Sequence, residues 1–253
     1  MRILSLFDFS GYMMKPWFEA GHETIGVDTL HFADVGKPFV PSRNWFTHRN
    51  NWDLSIAAGQ ICATHYNAEL ILAFPPCTDL AVSGAKHFEK KRLANPQFQE
   101  EAVKVCRLAE RIGNTLRVPW MVENPLGVLC TKWRKPDWTF HPHQYGGMLT
   151  GKDRVHPDWP DYVPAGDAYP KRTGIWCGNG FHMPDEVPVR MKNKFGKACS
   201  FLEWQQEDWD QRRFSPQFKK LGGTSLKTKL IRSLTPRGFA AAVHAVNDPD
   251  YGV

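Results

Sequence analysis

The opening stretch of the chain constrains the fold most. "RILSLFDF" at residues 2–9 is a nearly unbroken apolar run, "SGY" follows as a turn, "MMKPWFEA" reads as a short helix, and Gly21 stands where a left-handed residue usually ends one. "ETIGVD" at residues 23–28 is a second apolar run, ending on Asp28. Strand, tight turn, helix and strand make a βαβ unit, whose two strands run parallel in one sheet. We therefore expect an α/β fold, a doubly wound Rossmann-like sheet buried on both faces, with reactive groups on loops at the carboxyl ends of its strands.

Further strands are expected around "AELILAF", "PWMVEN" and "GIWCG". Between the first two of these, residues 95–118 place Phe98, Ala102, Val105, Ala109, Ile112 and Leu116 on one face at helical spacing, which predicts one amphipathic scaffold helix. "LTPRGFAAAVHAVN" predicts a last helix, with Thr235 as N-cap and Pro236 in its first turn. Residues 131–170 have no sustained period and read as loops ordered by packing. The boundaries expected are a core at 1–181, a small basic lobe at 182–225, and a C-terminal helix at 226–253 returning to the core.

With 253 residues, 42% hydrophobic and 13% aromatic, the chain can bury a sizeable core, and no apolar run approaches the roughly 18 residues of a bilayer span. The first residues enter a strand pattern with no signal-peptide layout, so a soluble intracellular protein is expected. Six cysteines lie scattered without a CxxC pair, which argues against a disulfide framework and a structural zinc site. His141 and His143 in "HPHQYGG" lack a third ligand at suitable spacing, so no metal is expected. Residues 190–237 hold 12 Lys or Arg against 4 Asp or Glu, a basic region suited to a polyanionic partner or to solvation. Trp204 and Trp209 in that region could stack on exposed bases or pack internally.

Two residues stand where chemistry is expected. Cys77 follows "LILAF" and two prolines, which fix φ and withhold two N–H donors, so its side chain is held stiffly at a strand's carboxyl end. It is a buried structural thiol or a nucleophile. Glu123, in "WMVENPLG", ends another buried run, as a cap for the next segment or as a carboxyl kept protonated by burial and able to donate to a ring nitrogen.

"FPPCTDLAVSG" and "VENPLG", in that order and preceded by "LSLFDFSG", resemble the DNA cytosine-5 methyltransferase family, and in particular its compact members often found in bacteriophages. The resemblance covers motifs within residues 3–178, with a weaker match at "RSLTPRGFAAAV". It implies methyl transfer from S-adenosylmethionine to C5 of a flipped cytosine in DNA, with Cys77 adding to C6 and Glu123 binding the base edge. It also implies a catalytic arginine, for which Arg172 in "YPKRTGIWCG" matches the first arginine of the family's Gln-x-Arg-x-Arg motif, while Gly174 stands in place of the second.

The cofactor residues implied are Phe7, Asp8, Ser10, Gly11, Asp28, Asp53 and Pro75; those implied for the substrate are Pro76, Ser83, Asn124 and Lys171. The first loop departs from the family's F-x-G-x-G pattern, because Tyr12 and Met13 follow Gly11. Lys15 in that loop would suit carboxy-S-adenosylmethionine, the variant cofactor, or point to solvent. The basic lobe at 182–225 is expected to supply phosphate contacts and target recognition, and its small size to limit the protein to a short or relaxed target sequence; a monomer in the cytoplasm, that of the host if phage-encoded, is expected, and the base that removes the C5 proton is not identified. Two other readings stand beside this one: transfer of another group or action on another pyrimidine substrate, and a non-catalytic DNA-binding relative.

Overall fold

The computed structural model describes residues 1–28, the backbone of 44–47, and residues 67–222 and 225–252. Its centre is a mixed, mostly parallel sheet. β1 (Arg2–Leu6) leads through α1 (Lys15–Glu19) to β2 (Glu23–Asp28), so the expected βαβ opening is present. Pro16 lies in the first turn of α1, where a missing N–H costs nothing, and Gly21 at φ +88° follows its end. The next strands are β3 (Asn44–Thr47), β4 (Leu70–Ala73), β5 (Trp120–Pro125), β6 (Trp138–Phe140) and β7 (Thr173–Gly178), in the spatial order β3-β2-β1-β4-β5-β7-β6. β3, β2, β1, β4 and β5 are mutually parallel, whereas β7 runs antiparallel to β5. Strand order reverses between β1 and β4, the position at which open α/β sheets form a crevice beyond their carboxyl ends.

After β4 the chain forms α2 (Phe88–Ala94), α3 (Phe98–Cys106) and α4 (Leu108–Leu116). The single helix expected over 95–118 is thus two, broken at Arg107, whose ψ of 3° leaves the α region while the apolar stripe carries across the break. Val103, Cys106, Ala109 and Ile112 from these helices pack with Leu4, Leu6, Ile25, Ile71, Val122 and Trp176 of the sheet. Gly113 is needed there, since a Cβ would lie 2.4 Å from Cδ1 of Trp120. α5 (Leu129–Lys132) adds Leu129 to the same core.

By contact the chain divides into a first unit, residues 1–139 and 172–181, and a second, residues 140–171 and 182–253. This differs from the boundaries expected from sequence. The unperiodic segment 140–171 and the C-terminal helix both belong with the basic region, in a unit larger than the expected lobe. In that unit a hairpin of β8 (Met191–Lys192) and β9 (Ala198–Cys199) precedes α6 (Phe201–Gln206), α7 (Trp209–Arg212), α8 (Pro216–Lys220), α9 (Leu226–Ser233) and α10 (Arg237–Asn247).

Packing within the second unit explains the difference. Phe239 of α10 stacks on Phe140 at 4.1 Å and meets the edge of Tyr145 at 5.2 Å, while the Gly238 N–H donates to Oδ2 of Asp167 at 3.1 Å. α10 begins one residue later than expected: Pro236 is its N-cap, and Thr235 lies buried just outside. Ser200 caps α6 in a capping box with Glu203. No helix among the described residues is long and apolar enough to cross a membrane.

Gly113→Ala should lower stability by roughly 1–3 kcal/mol through overpacking against Trp120. Urea unfolding checks this, and an unchanged midpoint would contradict the packing described.

Candidate active site

The register of the sheet aligns the residues that follow each strand. Val27, Leu6, Ala73, Val122 and Trp176 form one row across β2, β1, β4, β5 and β7. One residue further along come Asp28, Phe7, Phe74 and Glu123, and one further again Asp8, Pro75 and Asn124. Because β7 is antiparallel, its first residue, Thr173, pairs with Pro125, so Arg172 stands at this same edge. Backbone topology therefore brings together there the ends that carry most of the predicted site residues.

The loop after β1 turns sharply. Phe7 adopts φ +62°, rare for a residue with a Cβ, and its N–H donates to the Val27 carbonyl at 2.7 Å. The buried Asp8 then holds the turn: its Oδ1 accepts from the Ser10 hydroxyl at 2.9 Å and its Oδ2 from the Met13 N–H at 3.1 Å. Ser10 Oγ accepts from the Tyr12 N–H at 3.3 Å, and Gly11, at φ +67°, donates its N–H to the Asp8 carbonyl at 2.8 Å. These bonds hold the turn, and Tyr12, Met13 and Met14 are buried. Burial, with Asp28 nearby adding to it, pushes the Asp8 carboxyl up to about 7. Lys15 reaches along α1 to Glu19 at 2.6 Å and is half exposed.

The loop after β4 carries Cys77. Pro75 is buried, Pro76 exposed and Cys77 half-buried. The Pro75 carbonyl accepts a 2.9 Å hydrogen bond from Nδ2 of Asn124, which is wholly buried at the end of β5. The Cys77 carbonyl accepts from the N–H groups of Leu80 and Ala81 at 3.0 and 2.8 Å, which closes a tight turn directly after the cysteine. This turn is fastened to the loop after β5, because Val128 N–H donates to the Leu80 carbonyl at 2.9 Å and Ala81 bridges Gly127. Only glycine fits at 127, since a Cβ there would lie 2.2 Å from the Leu80 oxygen. Lys91 pairs with Asp79, and Gln99 donates to the Asp79 carbonyl at 3.3 Å, anchoring the turn from α2 and α3. Beneath lies Cys106, whose thiol burial and the neighbouring Cys77 push upward.

Glu123 is half-buried, one residue before Asn124. Arg172 is exposed, and Gly174 has no room for the arginine expected in the family, since a Cβ would lie 2.9 Å from the Trp176 ring and 3.0 Å from Leu126. Ser83 is exposed at the start of a short 3-10 turn spanning Val82–His87. Lys171 is the last residue of its segment of the second unit, where its N–H donates to Nδ1 of His141 at 3.1 Å. His143 stacks on Phe201 at 4.0 Å, and burial holds it down to about 4, so this ring is a neutral packing element near neutral pH. Asp53 lies outside the described residues.

Three contributors were not singled out from sequence: Asp8 as the organiser of the first loop through both its carboxylate oxygens, the Asn124 amide as the tie to Pro75, and Gly127. The Asp-x-Ser spacing signals a local side-chain turn. Gly127 carries a weaker signal, a glycine just after "NPL".

Two expected outcomes follow from this geometry. Asn124→Ala should cost about 1–3 kcal/mol, because it leaves the Pro75 carbonyl without its donor; thermal unfolding reads the loss. The folded state holds the Asp8 proton far more tightly than the unfolded chain does. Its contribution to stability is therefore complete below the ordinary carboxylate range and is lost as pH rises through about 7, by up to about 4 kcal/mol. Asp8→Asn removes this dependence, so urea unfolding between about pH 5 and about pH 8 should show the variant gaining on the parent as pH rises. No protein-family model matches the chain, and no curated protein matches it either.

Proposed function

We propose that the chain is an S-adenosylmethionine-dependent DNA (cytosine-5)-methyltransferase that works through a covalent bond between Cys77 and C6 of the base. The observation that carries this reading is the joining of the Pro-Pro-Cys loop to the Glu-Asn strand end. The Asn124 amide holds the Pro75 carbonyl, and Gly127 admits the Leu80 carbonyl, so a half-buried thiol and a half-buried carboxyl belong to one fastened pair of loops.

Each residue then has a role. Cys77, as thiolate, adds to C6 of cytosine, which breaks aromaticity and moves electron density to C5. Glu123, in its protonated form, hydrogen-bonds the ring nitrogen and so stabilises the electron-rich adduct. Loss of the C5 proton, to a base the sequence does not identify, then lets the thiol leave and restores the ring. Arg172, at the same edge, offers a cation to the phosphate of the extruded nucleotide.

The donor set at the β1 and β2 ends suits the cofactor: two buried carboxyls, Asp8 in the loop after β1 and Asp28 at the last residue of β2, can accept hydrogen bonds from hydroxyl and ammonium groups. When bound, S-adenosylmethionine supplies the electrophilic methyl carbon for C5. Phe7, Ser10, Gly11 and Pro75 would shape that side of the site, with Asp28 toward the ribose. Lys15, paired with Glu19, gives no support to a carboxylated cofactor.

Incubation with DNA and labelled S-adenosylmethionine, digestion to nucleosides and mass analysis test the proposal. 5-Methylcytosine is expected, and Cys77→Ser should lower its formation roughly a thousandfold or more. DNA left unmodified by the parent chain, or undiminished product with Cys77→Ser, would contradict it.

A further inference from the structure

Within the second unit lies a cavity of about 470 Å³, lined by Arg154, Arg190, Lys192, Trp204 and the alanines 165 and 168. That volume falls in the roughly 300–1,000 Å³ range of ligand sites. Among the described residues none of the three cations makes a hydrogen bond or ion pair through its side chain. The acids that follow have partners of their own: Glu203 accepts from the N–H and hydroxyl of Ser200, which together with the Arg190 cation nearby hold its carboxyl below the usual range, and Glu207 accepts from the Lys194 N–H and pairs with Arg212. Three cations lining one concavity, beside an indole whose ring Arg212 covers at 4.0 Å, suit an anion attached to a planar group.

The exposed surface of the same unit narrows the choice of ligand. Five aromatic rings among the described residues of the second unit stand exposed: Phe195 at 76%, Phe218 at 55%, Tyr251 at 53%, Trp209 at 47% and Phe214 at 43%. Three of them carry a cation close by, namely Lys194 over Phe195, Arg213 over Phe214 and Arg232 over Phe218. Exposed rings interleaved with cations are the composition of surfaces on which unstacked bases lie. A duplex offers its phosphates on a convex backbone with the bases stacked inside, whereas a concavity that takes charge and ring together requires a nucleotide already unstacked.

We propose that this cavity binds a nucleotide of single-stranded DNA, with Arg190, Lys192 and Arg154 on its phosphate and Trp204 beside its base. The proposal rests on the methyltransferase reading only for the choice of DNA as the polymer.

The test is fluorescence anisotropy of the full chain, carrying Cys77→Ser and without S-adenosylmethionine, so that failure of methyl transfer cannot affect it. The probes are a short labelled single-stranded oligodeoxynucleotide, its duplex, and free deoxycytidine monophosphate as competitor. Single strand should bind more tightly than duplex. Arg190→Gln with Lys192→Gln, both at exposed positions, should weaken single-strand binding about tenfold and reduce its salt dependence by up to about 0.7 in log–log slope, the share of one phosphate. Trp204→Leu should weaken it about tenfold with the slope unchanged. Equal binding of single strand and duplex, no binding of single strand, or unchanged affinity and slope in the double variant would overturn the proposal. Competition by free deoxycytidine monophosphate at the nucleotide concentration of the strand would overturn it too, because the ligand would then be the free nucleotide.

Discussion

One buried hydrogen bond, from the Asn124 amide to the Pro75 carbonyl, governs where the candidate nucleophile can be. Two consecutive prolines leave the chain after β4 without N–H groups to pair, so the loop cannot be held by the ladder that positions the strand itself. It is held from outside. Asn124 grips the carbonyl ahead of Cys77, and the loop behind Cys77 is fastened through Leu80 and Ala81 to Val128 and Gly127. Cys77 thus sits between two attachments to the same neighbouring strand end. A side chain placed in this way loses little further freedom on meeting a ring, which is what addition to a poorly electrophilic carbon demands.

The first loop reaches a similar end by other means. A glycine-rich turn lets the backbone approach a ligand because nothing projects from it. Here a single glycine at φ +67° is supplemented by Phe7 at φ +62° and by Asp8, whose two oxygens take the Ser10 hydroxyl and the Met13 N–H. The turn is then held by a buried carboxyl, and it carries the sensitivity to pH that burial of a carboxyl brings.

Much of this was legible in the sequence, and what was not has physical reasons. β2 was readable to the residue, and β1, β4 and β5 by position, because apolar runs bounded by turns encode buried strands. Strand direction has no such signature. That β7 runs against β5, bringing Arg172 to the site edge, depends on where the chain re-enters the sheet. The break at Arg107 was hidden because the apolar stripe continues across it with no glycine or proline. Residues 140–171 lack a period because rings such as Phe140 and Tyr145 meet α10 singly, so their membership in the second unit could not be read locally. At the candidate site, Cys77 and Glu123 could be singled out by type and place in the sequence, whereas Gly127 acts through a carbonyl 47 residues earlier in the chain.

The central claim is that Cys77 forms a covalent bond to C6 of a cytosine, and the adduct itself is its most direct test. DNA containing 5-fluorocytosine cannot release the C5 substituent as a proton, so the adduct should persist once the methyl group is transferred. The account predicts a denaturation-resistant protein–DNA complex that needs S-adenosylmethionine and maps by peptide mass analysis to Cys77. A complex mapping to another residue, or DNA methylated at C5 with no complex at all, would contradict it.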